Sequence, residues 1–300
     1  WLESEGHYWA SSGKNAHTHK RQRHRTHTPK TIIQAHTMSQ CEYTGPSGRQ
    51  CPAQPTKGRP VCFWHDREAD KTGDDIKVQL ERKARALESC EGYELARANL
   101  EDAFIIELDL SHANLERANL KDGHTWGINL EGARLRKANL QDANLRESKL
   151  QDVDLLGANL EGADLDRAHW GEGYVLRNHK VAKQLAAQGD DIAAREKYQE
   201  AEDTYQIIRQ RYEAKGTTDI AGRFFYNGMV CKRMQMPRWS VGRFWSLMVD
   251  WICGYGEDPI RVISFSFGVV VISALLFCLT GMSHGDKIYA FHLTNGLGEY

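Results

Sequence analysis

Three cysteines and a histidine stand in a pattern suited to holding a metal. Cys41, Cys51, Cys62 and His65 are spaced C-x9-C-x10-C-x2-H. Three thiolates and one imidazole make a standard tetrahedral zinc set, and C-x2-H is a usual half-site turn. Turn formers fill the interval: Gly45, Pro46, Gly48, Pro52, Pro55, Gly58 and Pro60. Such a stretch cannot bury a core of its own, so a structural zinc is the expected source of its order. The competing reading is an irregular cap whose thiols are merely reduced and partly buried, and the absence of a tight C-x2-C pair keeps it open. No second His/Asp constellation accompanies these cysteines, so a nucleophilic role is not expected. Seven cysteines at irregular spacing in 300 residues do not make a disulfide scaffold either.

A module at 38–70 of this kind must lean on a neighbouring element for its stability. Residues 71–92 predict a capping helix from Asp74 to Ser89, with Asp74 as N-cap and Ile76, Leu80, Ala84 and Leu87 on one face. Its natural role is to cover the open end of the next element, because an uncapped β-stack exposes unpaired backbone.

From Tyr93 to Glu172 the chain repeats every five residues, as in ANLED (98–102), ANLER (113–117), ANLQD (138–142) and ADLDR (163–167). Leucine holds the central position at 95, 100, 110, 115, 120, 130 and every fifth residue on to 165, and two residues earlier stands mostly alanine. Period 5 is neither that of a helix nor that of a flat strand. It fits a square coil with one pentapeptide per side, leucines inward and alanines where a larger side chain would not fit. This A(D/N)LXX pattern resembles the pentapeptide-repeat family, which implies a right-handed quadrilateral β-helix. Sixteen pentapeptides would make four coils, at strand spacing a rod roughly 15–20 Å long. Gly123-His124-Thr125-Trp126 departs from the pattern and reads as a tolerated defect rather than a binding bump. The segment carries 16 acidic and 9 basic residues, a net charge of −7. Some family members act as acidic mimics of duplex DNA, which makes a nucleic-acid mimic a minor alternative. Short Cys/His modules like that at 38–70 resemble those preceding the repeats in some archaeal membrane proteins.

The whole chain has a net charge of −1, so no global field favours nucleic acid. Residues 1–37 hold six Lys/Arg and six His with no acid after Glu5, and read as a disordered basic, His-rich tail. Met38 follows directly, so the tail is expected to be translated upstream sequence. At 173–236 the period changes to about 3.6, predicting three helices separated by Gly189-Asp190-Asp191 and Gly216-Thr217-Thr218. Tyr198, Tyr205, Tyr212 and Phe225 form an aromatic stripe, read as core packing rather than a peptide site.

Val262 to Thr280 is 19 residues without a charge. At 1.5 Å per residue that is about 28 Å, enough to cross a bilayer. Nine Lys/Arg lie between 209 and 261 and only Lys287 follows the span. The positive-inside rule then expects 1–261 in the cytoplasm, a membrane helix within 259–282 and an extracytoplasmic tail at 283–300. Trp239, Trp245 and Trp251 in the segment 237–258 suggest an amphipathic helix lying in the membrane interface.

The order of repeat stack, AEDTYQIIRQRYEAKGTTDIAGRFFYNGM (201–229), GYGEDPIRV (254–262) and apolar helix resembles prokaryotic, especially archaeal, pentapeptide-repeat proteins with a C-terminal two-helix potassium-channel-type pore. The resemblance implies a cytoplasmic sensing platform joined to the first helix of a pore, assembled as a tetramer. No TVGYG-like filter occurs in this sequence, so the pore is expected to be absent or truncated at Tyr300. The alternative is a single-span, membrane-tethered interaction scaffold that binds a protein partner on its repeat faces. An enzyme is not expected, since no Gly-rich phosphate loop, nucleophile–base set or paired-carboxylate cleft is visible.

Overall fold

The computed structural model describes residues 40–280 together with the backbone of three strands beyond them. The basic segment 1–37 lies outside the described residues. The order of elements is the Cys/His module, helix α1 (Asp75–Arg85), the repeat stack, helices α2 (Arg177–Ala187), α3 (Asp191–Ala214), α4 (Thr218–Gln235), α5 (Val241–Cys253) and α6 (Pro259–Thr280). Strands β1 (Met282–His284), β2 (Lys287–His292) and β3 (Gly296–Glu299) come last as an antiparallel sheet, where the sequence suggested only a tail.

In the stack, parallel bridges join residues 20 apart, from Ser89↔Asp109 to Lys149↔His169, so four pentapeptides complete one circuit. Each bridge is a single pair, because the chain turns a corner every five residues. At each corner the alanine amide bonds back to the preceding leucine carbonyl, as Ala98 N does to Leu95 O at 3.1 Å. The residue just before the alanine takes a left-handed backbone, for example Lys137 at φ +57 and Gly132 at φ +65. The Asn/Asp before each leucine ties the turn down: its side chain accepts the amide two residues on, as Asn159 Oδ1 does from Glu161 N at 3.0 Å. On one face these asparagines also hydrogen-bond coil to coil, Asn119 to Asn99 at 3.2 Å and Asn139 to Asn119 at 3.1 Å.

Leu100, Leu120, Leu140 and Leu160 form one of the buried inward ladders. The small-residue rule is looser than the repeat suggests, since Leu108, Ile128 and Val153 occupy alanine positions and are buried. It holds strictly in the column Ala103, Gly123, Ala143, Ala163, where a Cβ on Gly123 would lie 2.9 Å from the Leu120 carbonyl oxygen. The departure at 123–126 keeps the ladder, through Phe104↔His124↔Asn144. Thr125 takes a leucine place fully buried, and its hydroxyl is satisfied by donating to Asn144 O at 2.8 Å.

Both ends of the stack are covered by helix. At the first coil α1 buries Ile76, Leu80 and Ala84, and Glu81 accepts the otherwise unpaired Phe104 amide at 3.1 Å. Leu87, expected on that apolar face, is 79% exposed because the helix has ended and residue 87 is left-handed. Asp74 stands at the N-cap without a side-chain capping bond. At the last coil α3 supplies the missing donors: Arg211 bonds Gly162 O at 2.8 Å and also Ala163 O, and Tyr212 OH donates to Leu165 O at 3.0 Å.

The breaks between α2, α3 and α4 fall at Gly189 and Gly216, both at positive φ, and Asp190 caps α3 by accepting from Ala193 N. Tyr198, Tyr205 and Tyr212 are buried between the helices. Phe224, not Phe225, completes that core: it packs against Trp170, Tyr174 and Tyr212, whereas Phe225 lies half-buried with the Arg209 guanidinium 4.4 Å from its ring centroid. The one-residue shift turns Phe225 through about 100° of helix, out of the aromatic core to the rim where Arg209 of α3 covers it.

Candidate metal centre and membrane joint

The loops between Cys41 and His65 fold back on themselves through short backbone pairings, Cys41 N to Ala53 O at 2.8 Å and Cys51 N to Tyr43 O at 2.9 Å. A turn of 3-10 helix, Phe63–His65, then brings Cys62 and His65 to one side. The four donor atoms of Cys41, Cys51, Cys62 and His65 all lie within 4.8 Å of one another. Cys51 Sγ is 3.9 Å from Cys62 Sγ, and His65 Nδ1 is 3.6 Å from Cys41 Sγ and 3.3 Å from Cys62 Sγ. A tetrahedral zinc with ordinary bond lengths separates sulfur from sulfur by about 3.8 Å and sulfur from nitrogen by about 3.5 Å. The four groups named by their spacing therefore fit such an ion. Among the described residues they are the one cluster of this kind.

The surroundings fix the donors. His65 Nε2 lies 3.0 Å from the Glu91 carbonyl, so the ring proton sits there and Nδ1 faces the sulfurs. Burial lowers the His65 pKa, which keeps the imidazole neutral. Tyr43 stacks on the same ring at 3.8 Å, and the Cys62 amide donates to Cys41 Sγ at 3.2 Å. Burial pushes the Cys51 thiol up to about 11, so a bound cation is what would hold it as thiolate. The module is also seated on the first coil: Trp64 stacks on Tyr93, Trp64 O accepts Glu94 N at 2.8 Å, and Ser47 Oγ donates to Glu91 at 2.7 Å. Glu91 holds the module through a carbonyl and a carboxylate at once. A backbone carbonyl carries no mark in a spacing pattern, so sequence reasoning misses this partner.

A second arrangement joins the helical cap to the apolar end. The α5 helix is capped by Ser240 and stopped by left-handed Gly254. It exposes Phe244, Trp245, Leu247 and Trp251, with Trp239 just before it. The α6 helix opens at Pro259 and is long and apolar enough to cross a membrane, with none of its most apolar window buried. Between α4, α5 and α6 sits a polar cluster. Arg233 Nη1 meets Asp250 at 2.7 Å and Tyr255 OH at 2.9 Å, Tyr255 OH is paired with Ser246 at 2.5 Å, and Arg261 reaches the Asp250 carboxylate at 3.7 Å. Gly222 on α4 is closely approached by the Glu257 carboxylate, which would have to move aside for a Cβ. Thus GYGED (254–258) is a docked turn, shaped by left-handed Gly254 and Tyr255.

The family described as pentapeptide repeats matches residues 94–123 and 126–168 in eight copies, and the gap falls on the buried Thr125. No curated protein matches the chain. Among solved structures, a pentapeptide repeat protein from Nostoc Pcc 7120 is 36% identical, with 32% of this chain and 84% of that one covered and a TM-score of 0.28. One from the cyanobacterium Cyanothece 51142 is 35% identical over 29% of this chain and 56% of that one, with a TM-score of 0.21. HetL, a pentapeptide repeat protein involved in heterocyst differentiation regulation from Nostoc sp. strain PCC 7120, is 34% identical over 29% of this chain and 37% of that one, with a TM-score of 0.18. The chain thus spans only about half and about a third of the length of the latter two.

Proposed function

This chain belongs to the pentapeptide-repeat family, and on that footing we propose that it is the interaction platform and first membrane helix of an ion-channel-like membrane protein. The repeat segment is a right-handed β-helix, read here as four coils over 93–172. In such stacks the interior serves packing and the flat polar faces serve partners, so we assign binding rather than catalysis to it. One observation carries the proposal: side-chain contacts run unbroken from the last coil to the apolar helix. Arg211 and Tyr212 bind the last coil to α3, the aromatic core binds α3 to α4, and Arg233 binds α4 to α5 and the turn before α6. A flexible tether would suffice for a mere anchor. A stiff linkage suits a platform whose state is read by the membrane part. The exposed tryptophans of α5 would lie in the interface with α6 across the bilayer, and the basic flank at 209–261 would face the cytoplasm.

Zinc held by Cys41, Cys51, Cys62 and His65 completes the assignment. Its part is structural, fixing the module on the first coil.

Cross-linking of the full chain in liposomes tests the membrane reading. A tetramer is expected, since pores of this type are built from four symmetry-related chains. A strict monomer would instead favour a single-span scaffold without a pore.

A further inference from the structure

The three thiols of the metal centre are not equivalent. Cys41 and Cys62 are buried, whereas Cys51 is half-exposed and lines a cleft of about 480 Å³ between the module and the first coil. The cleft is walled by Tyr43, Trp64, Tyr93 and Lys83, and Ala53 stands in its lining next to Cys51. Cys51 Sγ lies 3.9 Å from Cys62 Sγ, close enough for one sulfur to attack the other after a small movement. A small oxidant entering the cleft would meet one sulfur, with a second directly behind it.

We infer that Cys51 and Cys62 form a peroxide-sensitive pair that couples oxidation to release of the module's metal; the inference rests on the zinc reading above. The Cys51 thiolate attacks one oxygen of a hydroperoxide, the O–O bond breaks, and the leaving oxygen departs with a proton as water (or alcohol), leaving Cys51 as sulfenic acid. The Cys62 thiolate then attacks the Cys51 sulfur. An S–S bond forms, the S–O bond breaks, and hydroxide leaves as water on protonation. Two thiolates lose two electrons in all, and the peroxide is reduced by two. Cys41 and His65 remain, and two donors do not hold a structural ion. His65 is then free to leave the Glu91 carbonyl, so the signal is delivered at the first coil of the stack.

The test uses the full chain in detergent, with hydrogen peroxide as oxidant and a chromophoric chelator in solution. Zinc content is measured first. About one zinc per chain is expected, and a chain that binds none overturns the zinc reading itself. On peroxide, release of that zinc should accompany a disulfide that peptide mapping places between Cys51 and Cys62, and a dithiol with added zinc should reverse it. Ala53→Trp, which fills the cleft and leaves all four donor side chains and the Ala53 backbone contacts to Cys41 and Cys51 in place, should keep its zinc and release it about tenfold more slowly. Zinc that is bound but stays bound under peroxide, a disulfide that uses Cys41, or unaltered release from the Ala53→Trp chain would each overturn the inference while leaving the zinc site standing.

Discussion

His65 and Glu91 are locked ring to backbone: Nε2 sits 3.0 Å from the Glu91 carbonyl oxygen, and that single bond turns Nδ1 toward Cys41 and Cys62. The bond also makes the ligand set and the first coil one mechanical unit. Cys62→Ser should therefore do more than lower zinc content from about one per chain to near none, because three donors no longer close a structural site. It should also loosen the segment 41–65 from the stack. Limited proteolysis should cut that segment in the variant and in chelator-treated protein, and spare it in the zinc-loaded chain. Equal resistance in all three would count against a metal.

The inside/outside order of the stack is tested at three neighbouring positions. Leu140 and Ala143 are fully buried and Gln141 is only half-buried. Leu140→Ala should cost ~2–5 kcal/mol through the cavity it leaves. Ala143→Leu should cost ~1–3 kcal/mol, because its column holds only alanine and glycine. Gln141→Ala should change stability by less than about 0.5 kcal/mol. Denaturant titration of the three variants checks the ranking.

How much of the molecule is legible in its residues depends on how local each signal is. The period of five announces the coil, and its spacing of 20 between partners is four times that period. Four potential donors within 25 residues announce the Cys/His cluster. Gly189 and Gly216 announce the helix ends because only a left-handed backbone closes those turns cheaply. Long-range partners are not legible. Arg211 finds its carbonyls 48 and 49 residues away, and Arg233 finds Asp250 17 residues on, with no periodicity to mark either. Phe225 reads as the core residue in sequence because adjacent phenylalanines offer the same chemistry, and only the helix phase decides for Phe224.

Tyr212 closes the last coil from both sides, accepting from Trp170 Nε1 at 2.9 Å and donating to Leu165 O at 3.0 Å. Tyr212→Phe keeps the ring but leaves a buried donor and a buried acceptor unpaired, at about 1–3 kcal/mol each. The midpoint of thermal unfolding, followed by tryptophan fluorescence, should fall by several degrees. An unchanged midpoint would mean that the hydroxyl does not close the stack.

His179 gives the helical cap a pH dependence. It is buried beside Tyr198 and Tyr205, with Nδ1 3.1 Å from Tyr205 OH. Burial, helped by the Lys183 charge, pushes its pKa down to about 4 from 6.5. The folded chain thus binds fewer protons than the unfolded chain between those values, so stability falls as pH drops. The loss is absent above about pH 6.5 and complete below about pH 4, and reaches ~3 kcal/mol at 1.36 kcal/mol per unit. His179→Gln should remove that part of the slope. Urea midpoints at pH 7 and pH 4.5, compared between the two chains, provide the check.

Arg233 and Asp250 lie at the junction between the helical cap and the apolar helix α6, with side chains only 10% and 16% exposed. Removing Arg233 leaves the enclosed Asp250 with only the longer contact to Arg261, so Arg233→Ala should destabilise the joint by up to about 3 kcal/mol, the low end for a buried pair. Replacing both, as Arg233→Met with Asp250→Leu, removes the stranded charge and should recover most of that loss. The readout is local: in liposomes, protease should cut within 237–258 in the single variant and spare the double variant. Trp170, beside the last coil, should keep its environment in both, because Tyr212 and Phe224 hold it independently of Asp250. If Arg233→Ala left 237–258 as resistant as the parent chain, the platform and α6 would be joined by something other than this pair, and the coupled reading of the chain would fail with it.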